Sequence, residues 1–396
     1  MNKELSSFAT RLREHFFVGD DVRSLYLNVR KNEPPHVGSY QDFNTLALEL
    51  FAFQFKYNAV YQKICQARGL KPEVIGDWTQ IPAVPTAAFK ELELSCIPPE
   101  ERTAVFHSSG TTEQKPSRHF HNAESLELYE ASLMPWFFDN VLPDCRLPMA
   151  DGRLVCLTPP PSQAPHSSLV HMFETVRSRA CESADQSFLG AVAPDGSWVL
   201  DFEAVVTTLK SAIANRQPAI LLGTAFSFVH LLDFLGEHDL QFQLPPGSRV
   251  METGGYKNRS RAMPKDELHA LITERLGVPA ENIICEYGMS ELSSQAYAVT
   301  GDRWQVTRNG MTSCHVSPVT RHCHFPPWAR VQISSPETGR KVADGETGLI
   351  RVFDLANVFS VMAIQTEDLG IRRGDGFELI GRAQFAEPRG CSLMSV

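Results

Sequence analysis

The chain has 396 residues, 43% hydrophobic and 21% charged, which is enough apolar side chain to fill a sizeable core and rules out a disordered polymer. A formal charge of -9, with no sustained lysine or arginine stripe, excludes nucleic acid as an expected partner. The opening MNKELSSFATRLREHFF lacks the apolar region of a secretory signal. The longest apolar stretch, Ala219 to Leu232, is short for a membrane span and carries Gly223 and His230, so the expected location is cytoplasmic.

From Gln41 to Leu70 the apolar residues Leu46, Leu50, Phe51, Phe53, Val60, Tyr61 and Ile64 recur mainly at helical spacing, with no proline and no glycine before Gly69. One or two helices are expected, within an N-terminal helical section over residues 1–100. The stretch IPAVPTAAFKELEL, Ile81 to Leu94, has two prolines that force extended or turn backbone, and reads as a connector into the core.

A repeated grammar follows, in which a strand-length apolar run leads through a Gly, Ser, Thr or Pro loop into a helical pattern. RLVCLTPPP (Arg153 to Pro161), PAILLGTAFSFVHLLDFL (Pro218 to Leu235), SRVMETGG (Ser248 to Gly255) and NIICEYGMSE (Asn282 to Glu291) fit it. Met263 to Gly277 reads as a helix, with Pro264 and acids at its start and Gly277 after its end. Alternating strands and helices imply an α/β fold with a mostly parallel sheet whose ligands bind at the carboxyl ends of strands. The loops of interest are Gly223-Thr224, Thr253 to Tyr256 and Tyr287 to Glu291. After Arg321, short apolar runs between Gly, Asp and Pro turns predict antiparallel strands and a β-rich C-terminal part.

Two segments carry chemical content. HSSGTTEQKPSRHF, His107 to Phe120, gathers hydroxyls around Gly110: Ser108, Ser109, Thr111 and Thr112 can donate to phosphate, and Lys115 adds a charge. It lacks Walker A spacing. EYGMSELSS, Glu286 to Ser294, leaves a strand, so Tyr287 can stack on a flat ring and Glu291 can hold a divalent cation. Taken singly, a solvated turn and a buried tyrosine before a helix-starting Ser290 remain open readings of these segments.

Together with METGG before them and QTEDLGIRRGDGFELIGRA (Gln365 to Ala383) after, these segments resemble the adenylate-forming enzyme superfamily from about Phe106 to Arg382. The resemblance implies an adenylation core over residues 101–381 that takes ATP and Mg2+. Phosphate contacts would come from Ser108, Ser109, Gly110, Thr111, Thr112 and Lys115, and strand-end backbone from Gly254 and Gly255. The segment Tyr287, Gly288, Met289, Ser290 and Glu291 would stack adenine and bind magnesium through Glu291, while Asp368 holds the ribose with Arg382 nearby. Glu113 stands where that family has glycine, Lys115 lies one position early, and Glu367 replaces the glycine of the usual TGD. Only fourteen residues follow Arg382, so no small C-terminal lid domain is expected.

The truncated body, IPAVPTAAFK, DLANVFSVMAIQTEDLG (Asp354 to Gly370) and a terminal RGCSL are similar to the LuxE-type acyl-protein synthetases over most of the chain. That resemblance implies activation of a carboxylic acid, expected to be a fatty acid, followed by transfer to a cysteine near the C-terminus. Delivery to an acyl reductase would follow, with an acyltransferase as a further partner. Cys391, in a mobile tail over residues 382–396, matches that acceptor. A nine-residue leash from Arg382 could sweep on the order of 30 Å, and Arg389 would favour the thiolate. Two alternatives stay open: transfer to coenzyme A or a carrier-protein thiol, and a nucleotide-binding relative without chemistry.

The nine scattered cysteines suit reduced thiols better than a disulfide framework. Cys314, His315, Cys323 and His324 match no common zinc spacing and are expected to lie in a loop between strands. His230 and the aromatic run Phe51 to Tyr57 are expected in the core rather than along an acyl tunnel.

Overall fold

The computed structural model describes residues 2–16, 40–108, 115–143, 153–180, 187–254, 263–299 and 321–383. Its helices are α1 (Lys3–Phe16), α2 (Tyr40–Tyr57), α3 (Ala59–Ala67), the single turn α4 (Ala88–Glu91), α5 (Ala123–Val141), α6 (Ser168–Ala180), α7 (Phe202–Ala214), α8 (Ala225–Glu237) and α9 (Lys265–Leu276). The strands begin with β1 (Val84–Pro85), the hairpin pair β2 (Ala104–His107) and β3 (Arg118–His121), β4 (Arg153–Cys156), and the small pair β5 (Gly190–Val192) and β6 (Trp198–Leu200). Next come β7 (Ala219–Thr224), β8 (Arg249–Thr253), β9 (Ile283–Tyr287), β10 (Ala296–Val299) and β11 (His322–His324). The last four are β12 (Ala329–Ser334), β13 (Thr347–Asp354), β14 (Ala363–Arg373) and β15 (Gly376–Arg382).

Most strands join one mixed sheet in the order β12-β13-β14-β15-β11-β10-β9-β8-β7-β4, with β1 added in parallel to β14. β4, β7, β8 and β9 run parallel, and from β10 to β12 every pairing is antiparallel. The parallel strands β7, β8 and β9 are buried at every position, because helices cover both faces. Leu221, Val250 and Ile283 pack on one side with α8 and α9, whereas Ile220, Met251 and Ile284 pack on the other with α5 and α6. This α/β body with its β-rich carboxyl part matches the expected class, but the sheet is mixed rather than mostly parallel, because the antiparallel carboxyl strands continue the same sheet.

α2 and α3 cover the antiparallel end of the sheet. Phe43, Leu50, Phe51 and Tyr61 share a core with Val352, Phe353 and Ile364, so the run Phe51 to Tyr57 contributes core rather than a tunnel. The contact is also polar. Buried Gln54 donates its side-chain amide to the carbonyls of Asn357 (2.8 Å) and Val358 (3.1 Å) and accepts from Met362 N (2.9 Å).

α9 starts after Pro264, bears Asp266 and Glu267 in its first turn, and stops at Gly277, whose φ of 68° is the left-handed conformation that glycine adopts without strain. No helix among the described residues is long and apolar enough to cross a membrane.

Candidate active site

The turn after β9 lies at the centre of the sheet. Glu286 packs tightly on Gly288 there: a Cβ would stand 2.2 Å from Glu286 Oε1, so a larger residue would force that carboxylate to move. Glu286 is buried, accepts a hydrogen bond from Thr253 Oγ1 at the end of β8, and is pushed up to about 7, chiefly by burial. Gly254, just after β8, has φ 82°.

Glu291 is fully buried in this turn and accepts from Ser290 Oγ at 3.1 Å. Its backbone is held from the antiparallel side. Asn357 Nδ2 donates to the carbonyls of Glu291 and Val361, both at 2.9 Å, and Asp354 accepts from Ser293 N (2.9 Å), Ser294 Oγ (2.7 Å) and Ala356 N (3.0 Å). Burial pushes Asp354 up to about 6 against those hydrogen bonds. From the other direction, His119 Nδ1 lies 2.8 Å from the Ser290 carbonyl, which requires the proton on that nitrogen. Burial lowers the pKa of His119, opposed by that same bond. Asp354, Asn357 and His119 are site-building residues that the sequence analysis did not select. Their sequence separation from Glu291 leaves no local signal.

Ser108 and Ser117, at the two ends of the hydroxyl-rich segment, meet beside the same turn. Ser108 and Ser117 exchange hydrogen bonds, Ser117 N to Ser108 Oγ at 3.0 Å and Ser108 N to Ser117 Oγ at 3.3 Å, and Ser117 Oγ is 3.4 Å from Ser290 Oγ. These pairs clamp the base of the segment. Ser109, Gly110, Thr111, Thr112 and Glu113 lie outside the described residues, as does Gly255. Lys115 is exposed, with its Nζ 3.2 Å from Glu91. Met289 packs half-buried on the core.

On the other flank, Tyr287, Asp368 and Arg382 meet. Tyr287 Oη donates to Asp368 Oδ2 at 2.9 Å, while its ring stands nearly perpendicular to Phe377 (5.3 Å) and Phe325 (6.2 Å). Burial, reinforced by the Asp368 charge, raises the Tyr287 pKa well above its usual value, so its hydroxyl remains a donor. Asp368 and Arg382 are register partners between β14 and β15, with Arg382 Nε 3.7 Å from Asp368 Oδ1. Glu367 is neutralised by Arg382 Nη2 at 2.6 Å. Arg382 Nη1 is buried and has no hydrogen-bond partner among the described residues. A buried guanidinium N–H without an acceptor suits an anionic or hydroxyl oxygen of a ligand.

The donor set also suits magnesium, a hard cation that takes oxygen ligands and keeps several waters: a buried carboxylate at Glu291 with the Ser290 and Ser117 hydroxyls beside it.

Other sequence candidates fall elsewhere. Cys323 and His324 lie on β11 rather than in a loop, Cys323 buried and His324 half-buried on adjacent positions that point to opposite faces. Cys314 and His315 are outside the described residues, and no group of three or more metal-ligating side chains occurs among the described ones. His230 sits half-buried on α8, edge-on to Phe226 at 4.3 Å, with its pKa lowered by burial. The described cysteines, Cys65, Cys96, Cys156, Cys285 and Cys323, are all buried and form no disulfide with one another, and Cys391 lies outside the described residues.

Compared with solved structures, the fold is similar to an open conformation of 2-hydroxyisobutyryl-CoA ligase in complex with 2-HIB-AMP and CoA. The TM-score is 0.60 over 88% of this chain and 76% of that one, at 14% identity. Among sequences, the chain is 24% identical over 372 residues to the long-chain-fatty-acid--luciferin-component ligase of Vibrio harveyi, covering 91% of this chain and 89% of that protein. The protein of the same name from Aliivibrio fischeri is 25% identical over 206 residues, 49% of each chain, so that match spans about half the length of that relative. The family described as "Acyl-protein synthetase, LuxE" matches residues 35–395. An adenylate-forming fold and a family match through most of its length together make this chain a ligase that belongs to the LuxE acyl-protein synthetase family.

Proposed function

We propose that this chain activates a long-chain fatty acid with ATP as its acyl-adenylate. It then holds the acyl group as a thioester on Cys391 for delivery to an acyl reductase in the cytoplasm. The observation that carries the reading is the convergence of Tyr287, Asp368 and Arg382, whose Nη1 has no partner among the described residues, on one flank of the β9 turn, with Glu291, Ser290, Ser117 and Ser108 on the other. One flank offers a neutral hydroxyl donor, a carboxylate and a guanidinium for a nucleoside; the other offers hydroxyls and a carboxylate for its phosphates.

Residues 101–381 form the adenylation core in this reading and residues 382–396 the acceptor tail. Asp368 accepts from ribose hydroxyls, and Tyr287 fixes Asp368 while lining the ring site. Ser108, with residues 109–112 and Lys115, binds phosphate oxygens. Magnesium, when bound with the nucleotide, offsets phosphate charge, and Glu291 would hold it. An oxygen of the substrate carboxylate attacks the α-phosphorus and pyrophosphate departs. The Cys391 sulfur, having given up its proton, then attacks the acyl carbonyl carbon and AMP leaves. A tethered thiol gains effective concentration for this second step.

The test is intact-mass spectrometry after incubation with ATP, magnesium and fatty acids of graded length. A hydroxylamine-labile acyl adduct that is absent in Cys391→Ser is expected. Pyrophosphate release without an adduct would instead favour coenzyme A or a carrier-protein thiol as acceptor, and no pyrophosphate with any acid would overturn the adenylation itself.

A further inference from the structure

A second buried cluster lies beside the site and takes no part in the proposed chemistry. Glu252 on β8 and Cys285 on β9 are register partners, both buried. Lys265, the first residue of α9, reaches over them, with its Nζ 3.5 Å from Glu252 Oε1. One turn on, His269 Nε2 is 3.2 Å from the same oxygen. Burial would raise the pKa of Glu252, but Lys265 and His269 outweigh it and hold the carboxyl at about 2.

Lys265 Nζ is only 2.6 Å from Cys285 Sγ. Even the smaller oxygen acceptor sits about 2.7–3.2 Å from an N–H donor, so this sulfur is inside hydrogen-bonding distance. A thiolate would attract the ammonium closely, but burial, followed by the Glu252 charge, raises the Cys285 pKa well above its usual value and keeps the proton on sulfur. The separation is that of a nitrogen and a sulfur bonded to one shared oxygen atom. Lys265 is also reachable, its side chain being 38% exposed while Cys285 lies beneath it.

We propose that Lys265 and Cys285 are a modification site at which dioxygen joins them through a nitrogen–oxygen–sulfur bridge. The thiol loses its S–H bond, the deprotonated amine loses one N–H bond, and the O–O bond breaks. One oxygen links nitrogen to sulfur and the other leaves as water. Sulfur and nitrogen each give up two electrons, and the four reduce dioxygen. Two equivalents of a dithiol, each returning two electrons and two protons as it closes to a disulfide, restore the amine and the thiol with release of a second water. The bridge ties the start of α9 to the strand that ends in Tyr287.

The readout is independent of nucleotide chemistry. The purified full chain, held under air, is digested and its peptides are weighed. The expected product is one species containing both Lys265 and Cys285, about 14 Da heavier than the sum of the two reduced peptides, for one oxygen gained and two hydrogens lost. Dithiothreitol should abolish it. Lys265→Arg, which keeps the charge beside Glu252, and Cys285→Ser should both lack it. Air-exposed wild-type protein that yields only separate peptides, or oxygen added to Cys285 alone, would overturn the bridge.

Discussion

The side-chain amide of Asn357 donates to the main-chain carbonyl of Glu291 at 2.9 Å, while the backbone carbonyl of Asn357 accepts from Gln54 at 2.8 Å. One residue thus connects an N-terminal helix to the carboxylate proposed to serve the nucleotide. Asn357→Ala would leave the carbonyls of Glu291 and Val361 buried without this donor, at a cost of about 1–3 kcal/mol. We expect a denaturant midpoint lowered accordingly and ATP–pyrophosphate exchange reduced by about tenfold or more. Unchanged exchange at a lowered midpoint would separate the turn's stability from its function.

Glu291→Gln keeps the shape of a fully buried side chain while removing its charge. Pyrophosphate exchange is expected to fall by about two orders of magnitude, with far-ultraviolet circular dichroism unchanged. Exchange at the wild-type rate would remove Glu291 from its proposed role.

Tyr287→Phe deletes the hydroxyl that donates to Asp368 at 2.9 Å and leaves the ring against Phe377. Loss of one donor to a carboxylate is worth about 1.5 kcal/mol, roughly tenfold. That loss should raise the KM for ATP and change kcat little if Asp368 serves ground-state nucleotide binding. A fall in kcat at constant KM would place the pair in the chemical step.

Two buried acids give stability a predictable pH dependence. Glu286 is pushed up to about 7 from 4.5, and Asp354 to about 6 from 3.8, in both cases first by burial. The folded state therefore binds more protons than the unfolded chain between these limits. Their favourable contribution is fully present below the unfolded values of 3.8 and 4.5 and is lost progressively as pH rises from there to the folded values, about 6 for Asp354 and about 7 for Glu286. Urea unfolding should show stability declining across that window, by on the order of 3 kcal/mol per group. Glu286→Gln should flatten part of the decline, and an unaltered profile would remove Glu286 as a source.

Residue patterns in the sequence indicate the parallel half of the sheet well. Apolar runs bounded by Gly, Thr and Pro place β4, β7, β8 and β9, and the charges and glycine around α9 fix both its ends. The pairing of Tyr287, Asp368 and Arg382 was legible through family motifs alone, because β14 and β15 bring together residues that no local period relates. Asp354, Asn357 and His119 escaped notice for the same reason. β11 has three residues, too few to show a strand period, in a stretch where cysteine and histidine suggested a loop. α1 has a plain signal in the sequence: Leu5, Phe8, Ala9, Leu12 and Phe16 recur at helical spacing and are all buried.

Gln54 bonds across 303 and 304 residues of chain to the segment that steadies Glu291. During synthesis the glutamine emerges 303 residues before its first acceptor, so that the turn cannot gain this support until Asn357 and Val358 have left the ribosome. Long-range closure of this kind folds slowly. Nascent fragments that stop short of Asn357 would carry Tyr287 and Glu291 without the brace that aligns them, so competence to activate a substrate would arise late and in one step rather than accumulate with chain length.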